Sequence, residues 1–135
     1  MKKNKFLISI DNLEKAVAEL FKYVQEPIES PRDQAGVIQG FEFNFELFWK
    51  TFKKIAEGEG LQIGGPKSAL KAALQMGLIQ PEKETTWLTM LDDRNLASHI
   101  YHQEISSEIC QRIQKSYLKE FEATLHRLKE MNGTR

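Results

Sequence analysis

With only one cysteine, Cys110, the chain can form no internal disulfide and no cysteine-based metal cluster, which suits a reducing compartment. A charge excess is missing too. Nineteen Lys and Arg residues balance nineteen Asp and Glu, so no global positive field draws in nucleic acid, and a polyanion must be met by a local patch. There is no long hydrophobic run. The basic opening Met1-Lys2-Lys3-Asn4-Lys5 is followed only by Phe6-Leu7-Ile8 before Ser9 and Asp11, which is too short for a secretory signal or a membrane span. The expectation is a cytoplasmic protein without membrane association. His102 and His126 have no companions at metal-ligand spacing, so neither a metal nor a cofactor is expected. Strand-type alternation, internal repeats and low-complexity stretches are also lacking, and 135 residues are expected to form one domain, 1–135, with 132–135 as a frayed tail.

What the sequence does contain is helical periodicity. Ile10, Leu13, Val17, Leu20 and Val24 recur at steps of three and four, giving one apolar stripe that ends before Pro27. Ser30-Pro31-Arg32-Asp33 then reads as an N-cap serine, a proline at the first helical position and an acidic third residue that complements the helix dipole. The helix it starts carries Val37, Ile38, Phe41, Phe45, Phe48, Phe52 and Ile55, with Phe43, Leu47 and Trp49 widening its apolar surface, so it needs neighbours on more than one side. Gly58, Gly60, Gly64 and Gly65 close it. Pro66 opens a shorter helix through Leu70, Ala73 and Leu74 to Met76, with Gly77 as its stop. Pro81-Glu82-Lys83-Glu84 starts a fourth helical segment, whose expected packing face is Trp87, Leu88, Leu91 and Leu96. The last long segment spaces Ile105, Ile109, Ile113, Leu118, Phe121, Leu125 and Leu128 along a helix. These elements predict an all-α fold, an up-and-down four-helix bundle with an additional short helix.

Possible chemistry is concentrated in Arg94-Asn95-Leu96-Ala97-Ser98-His99-Ile100-Tyr101. Arginine offers permanently charged planar donors for phosphate oxygens, and histidine exchanges protons near neutral pH. Asn95 and His99 are four residues apart and share a helix face, but Arg94 and His99 lie roughly 140° apart around an ideal helix. Arg94 and His99 share a site only if the helix ends or bends near Ser98, or if a second surface completes the cleft. On the second helix Glu42, Glu46 and Trp49 form an acidic-aromatic strip that can face Arg94 and His99, orienting the histidine or contacting a base. The plainer alternative pairs Arg94 with Asp92, Asp93 or a helix-two glutamate, and leaves Glu42 and Glu46 as a solvated or ion-paired edge. Gly36 and Gly40 read as close-packing positions and His126 as a surface residue. Gly64-Gly65-Pro66-Lys67-Ser68 lacks the spacing and preceding strand of a phosphate loop.

The octapeptide resembles the Arg-x-x-x-x-His-x-Tyr signature of the HEPN superfamily of small helical proteins. Within it, residues 36–50, Gly-Val-Ile-Gln-Gly-Phe-Glu-Phe-Asn-Phe-Glu-Leu-Phe-Trp-Lys, resemble the helix-two block of the nucleotidyltransferase substrate-binding proteins, as do Ser30 to Asp33 and Trp87 to Arg94 their counterparts. The resemblance covers essentially the whole chain. It implies a four-helix core, a homodimer, and association with a separate minimal nucleotidyltransferase chain for which this chain binds a nucleotide or acceptor. Arg94, Asn95, His99, Tyr101, Glu42, Glu46 and Trp49 would form the substrate site. No Gly-Ser pair following a strand and backed by acidic ligands is present, so transfer chemistry would come from the other chain. The same superfamily contains toxin ribonucleases acting without metal, in which matching arginine and histidine residues face each other across the dimer. There the matching tyrosine is adenylylated by the antitoxin partner. In that alternative Arg94 and His99 are catalytic, RNA is the substrate, and Tyr101 is the modification site. A third alternative is a purely structural dimerisation module.

Overall fold

The computed structural model describes residues 6–97 and 103–133, and among these every regular element is helical. Helix α1 runs Leu7–Gln25, α2 Pro31–Gly58, α3 Pro66–Gln75 and α4 Glu84–Ala97, the last preceded by a 3-10 turn at Pro81–Lys83. Then come α5 (Gln103–Arg112), a π turn (Ile113–Tyr117) and α6 (Leu118–Met131), which run on without a break as one long rod. The expected all-α bundle of three long and two shorter helices is what forms. No described helix is long and apolar enough to cross a membrane.

Local chemistry sets most of the boundaries. Ser30 Oγ accepts from the Asp33 amide at 3.1 Å, and Asp33 Oδ2 accepts from the Glu29 and Ser30 amides at 3.0 Å each, a capping box that fixes where α2 begins. Those two amides hold the Asp33 carboxyl below its ordinary value. At the other end Gly60 adopts φ +89°, and the Leu61 amide turns back to the Ala56 carbonyl; α3 ends in the same way at Gly77, φ +77°. Asn132 and Gly133, at the start of the expected tail, close α6, with the Asn132 amide donating to the Leu128 carbonyl and its side chain buried.

The α1 stripe is buried as expected at Ile10, Leu13, Val17 and Leu20. On α2 the aromatic ladder Phe41, Phe45, Phe48 and Phe52 is fully buried, each ring contributing about 1.5–3 kcal/mol through removal from water. Phe48 stacks on Phe121 of α6 with centroids 5.0 Å apart, and Trp87 of α4 meets Phe48 and Phe52 edge-on at 5.6 and 5.4 Å. The wide apolar surface of α2 is explained by its neighbours, since it packs against α1, α3, α4 and α5. Phe43 remains in solvent, 59% exposed.

Two details differ from the sequence reading. The inward face of α4 is Trp87, Met90 and Asp93, while Leu88 and Leu96 are exposed; a buried carboxylate takes the place of a leucine. Of the two glycines read as close-packing, only Gly40 is one: a Cβ there would stand 3.2 Å from Leu20 Cδ1 and 3.3 Å from Tyr23 Cδ2, whereas one at Gly36 would meet nothing within 4 Å.

Candidate functional site

Arg94 stands in the last turn of α4, where the negative end of the helix dipole favours a cation. Its Nη2 donates to Glu46 Oε2 on α2 at 2.6 Å and its Nη1 to the Asn95 side-chain carbonyl at 3.0 Å. Trp49 Nε1 donates to the same Glu46 oxygen at 2.9 Å. Glu46 and Trp49 lie on one α2 face, three residues apart, so the acidic-aromatic strip does meet Arg94. Of the pairings weighed for Arg94, the helix-two glutamate is the one that forms. The pair is only part-buried, 31% and 30% exposed, and these two bonds engage two of the five guanidinium N–H donors. The cation is thus oriented and still reachable by a phosphate.

Glu42, one turn before Glu46, senses the same charge. Partial burial pushes its carboxyl up from the ordinary value, Arg94 pulls it back, and Glu46 adds a smaller upward push. His99 and Tyr101 lie outside the described residues, as does His102. Among the described residues no group of three or more His, Cys, Asp or Glu side chains is arranged to hold a metal ion.

A second set of residues beside the site was missed in the sequence. Asp93, 4% exposed, accepts two bonds from Arg112, from Nε at 2.8 Å and Nη2 at 2.9 Å, and a third from the Tyr117 hydroxyl at 2.5 Å. Hydrogen bonding to Asp93 raises the Arg112 pKa further, and burial followed by the Asp93 bond raises that of the Tyr117 phenol well above its usual value. The sequence signal was the step of five from Ile113 to Leu118 among steps of three and four, which marks the π turn between the two donors. Burial likewise pushes the Cys110 thiol up to about 11, consistent with core filler.

The remaining motifs resolve simply. Ser68 Oγ accepts from the Gly64 and Gly65 amides at 3.1 Å each and donates to the Gly65 carbonyl, so the glycine loop fastens itself. His126 is exposed and faces Glu130 at 3.6 Å. Asn44 ties α1 to α2, its Nδ2 donating to the Ala16 and Gly40 carbonyls at 2.9 Å each.

The all-α bundle is the fold that the sequence resemblance implied, and within it the acidic-aromatic face of α2 meets Arg94, one of the arrangements the residue spacing allowed. The family model described as "Nucleotidyltransferase substrate binding protein like" matches residues 8–130, and the chain belongs to that family. It is similar to a Haemophilus influenzae protein named probable ribonuclease HepT, 35% identical over 103 residues that cover 73% of this chain and 68% of the relative. A crystal structure of a Thermus thermophilus protein superposes with a TM-score of 0.78 at 35% identity, covering 87% of this chain and 98% of that one.

Proposed function

We propose that this chain is the non-catalytic substrate-binding partner of a separate nucleotidyltransferase chain, with Arg94 as the anchor for a substrate phosphate. The observation that carries the reading is the Arg94 guanidinium, oriented by Glu46 and Asn95 while keeping donors for a ligand. Family membership supports it, and the lack of a transferase motif in this sequence supports assigning nucleotidyl transfer to another chain. Glu46 and Trp49 orient the cation, and Glu42 adds negative charge that selects how a ligand approaches. Asn95, His99 and Tyr101 complete the site in this reading, helped by a second copy of the chain. Co-expression with a small nucleotidyltransferase encoded beside it is the test: a stable complex is expected at micromolar concentration, and its absence overturns the reading.

A metal-independent ribonuclease, held in check by a nucleotidyltransferase antitoxin, is the second reading. It is favoured by the 35% identity to the protein named probable ribonuclease HepT together with the Arg94 to His99 spacing. Arg94 would stabilise charge on the phosphate, His99 would transfer the proton, and Tyr101 would be the residue adenylylated by the partner. RNA degradation by the purified protein in chelator, abolished in His99→Ala, is what this reading expects. Degradation that survives that substitution removes His99 from the role.

A further inference from the structure

Asp93 and Arg94 leave α4 in different directions, and each is tied to a different neighbour. Arg94 reaches α2 through Glu46, whereas Asp93 reaches the rod through Arg112 and Tyr117. The second tie depends on the π turn. On an α-helix Arg112 and Tyr117, five residues apart, would diverge by roughly 140° and could not both meet one carboxylate. Widening the helix at Ile113–Tyr117 brings them toward the same side, where they close on Asp93 from both ends of the turn. A π turn inside an α-helical rod is rare and widens the helix locally, and here side-chain bonds accompany it. Those bonds are the three to Asp93, which join the turn to α4. They also fix the backbone of the residue preceding Arg94.

We propose that Asp93, Arg112 and Tyr117 form a positioning device for Arg94, holding the last turns of α4 against the π turn so that the guanidinium faces Glu46 and an incoming phosphate. The inference rests on the phosphate-anchor reading of Arg94 given above. Asp93 touches no ligand in this arrangement; it acts through its neighbour. A carboxylate that served only to hold the bundle together would change stability without changing how Arg94 grips a phosphate. The two roles separate in a double-mutant cycle.

The probe is fluorescein-labelled oligoadenylate, titrated by anisotropy into the full chain at low salt. The proteins are wild type, Tyr117→Phe, Arg94→Ala and the double variant, each checked for helicity by circular dichroism. Arg94→Ala is expected to weaken binding roughly tenfold or more, the loss of a charge-assisted contact. Tyr117→Phe is expected to weaken it roughly three- to tenfold when Arg94 is present, and not at all in the Arg94→Ala background. Unchanged binding in Tyr117→Phe, or an equal loss in both backgrounds, overturns the positioning role while leaving the phosphate anchor standing. Wild-type affinity in Arg94→Ala instead removes the anchor reading itself, and the inference with it. Arg112→Lys keeps the charge but loses the two-point grip on Asp93, and it carries the same cycle should Tyr117→Phe lose helicity.

Discussion

Asp93 and Arg94 are adjacent in the chain, yet one is 4% exposed and bonded to the π turn while the other is part-exposed and bonded to α2. The end of α4 is therefore held from two sides by side chains of opposite charge. One tie is buried and contributes to stability; the other stands at the surface, where a ligand can reach it.

That difference predicts a separation of stability from binding at Arg94. Its ion pair with Glu46 is near a third exposed on both sides, so Arg94→Ala is expected to lower stability by less than about 1 kcal/mol. Denaturant melts of the variant should nearly overlay wild type, while phosphate or nucleotide affinity falls.

Tyr117→Phe behaves in the opposite sense. The phenol is 2% exposed and donates to a carboxylate, so its loss is expected to destabilise the protein by about 1.5–3 kcal/mol at neutral pH. Its pKa is raised in the folded state above the ordinary 10.0, so the unfolded chain ionises first. Stability from this group is complete below pH 10.0 and is lost as the pH rises toward the folded value. Alkaline melts should show that loss in wild type and a flatter curve in the variant.

Glu42 carries the third prediction. Its raised carboxyl pKa means that ionising it in the folded protein is unfavourable, so stability falls as pH rises from the ordinary value of 4.5 through the folded one. Glu42→Gln is expected to be more stable than wild type at neutral pH and indistinguishable from it well below pH 4.5. Removing a negative charge beside Arg94 should also tighten phosphate binding. Equal affinity in the two proteins at pH 7 would show that Glu42 is remote from the ligand.

The two helix-two glycines give a paired test. Gly36→Ala places a methyl group in open space inside a helix and is expected to stabilise by about 0.5–1 kcal/mol. Gly40→Ala must push Leu20 and Tyr23 aside and should be the less stable of the two. Thermal midpoints in the reverse order would show that Leu20 and Tyr23 give way to the added methyl group.

In the core, Phe48→Ala removes a ring that meets Phe52, Trp87 and Phe121, and should cost about 3–5 kcal/mol. A loss under half of that would show that α2 and α6 can collapse into the vacated space.

The start of α2 was legible because its signal is local: Ser30, Pro31 and Asp33 act within one turn. The α1 stripe and the phenylalanine ladder were legible because packing faces repeat at the helical period. The Arg94–Glu46 contact was half legible, since spacing shows that Glu42, Glu46 and Trp49 share a face that can meet Arg94 but not which of Asp92, Asp93 or a helix-two glutamate pairs with it. The Asp93 network was hidden because it joins residues from two helices whose charges look like ordinary surface, and because Ile113 to Leu118 passes for a helical interval unless the count is kept strictly. The inward face of α4 was hidden for the same reason: one of its buried positions is Asp93, a charged residue type that hydropathy assigns to the surface.

The chain has two tryptophans, and the fold places them in unlike surroundings. Trp87 is sealed among phenylalanine rings, its indole N–H bonded to the buried Glu120 at 2.8 Å. Trp49 is half-buried and bonded to Glu46, the carboxylate that also holds Arg94. One indole therefore reports unfolding and the other reports events at the guanidinium, so the molecule is supplied with two separate optical gauges. A Trp49→Phe chain leaves only the inner one, and the difference between its emission and that of wild type isolates the signal of the indole that stands beside Glu46 and Arg94.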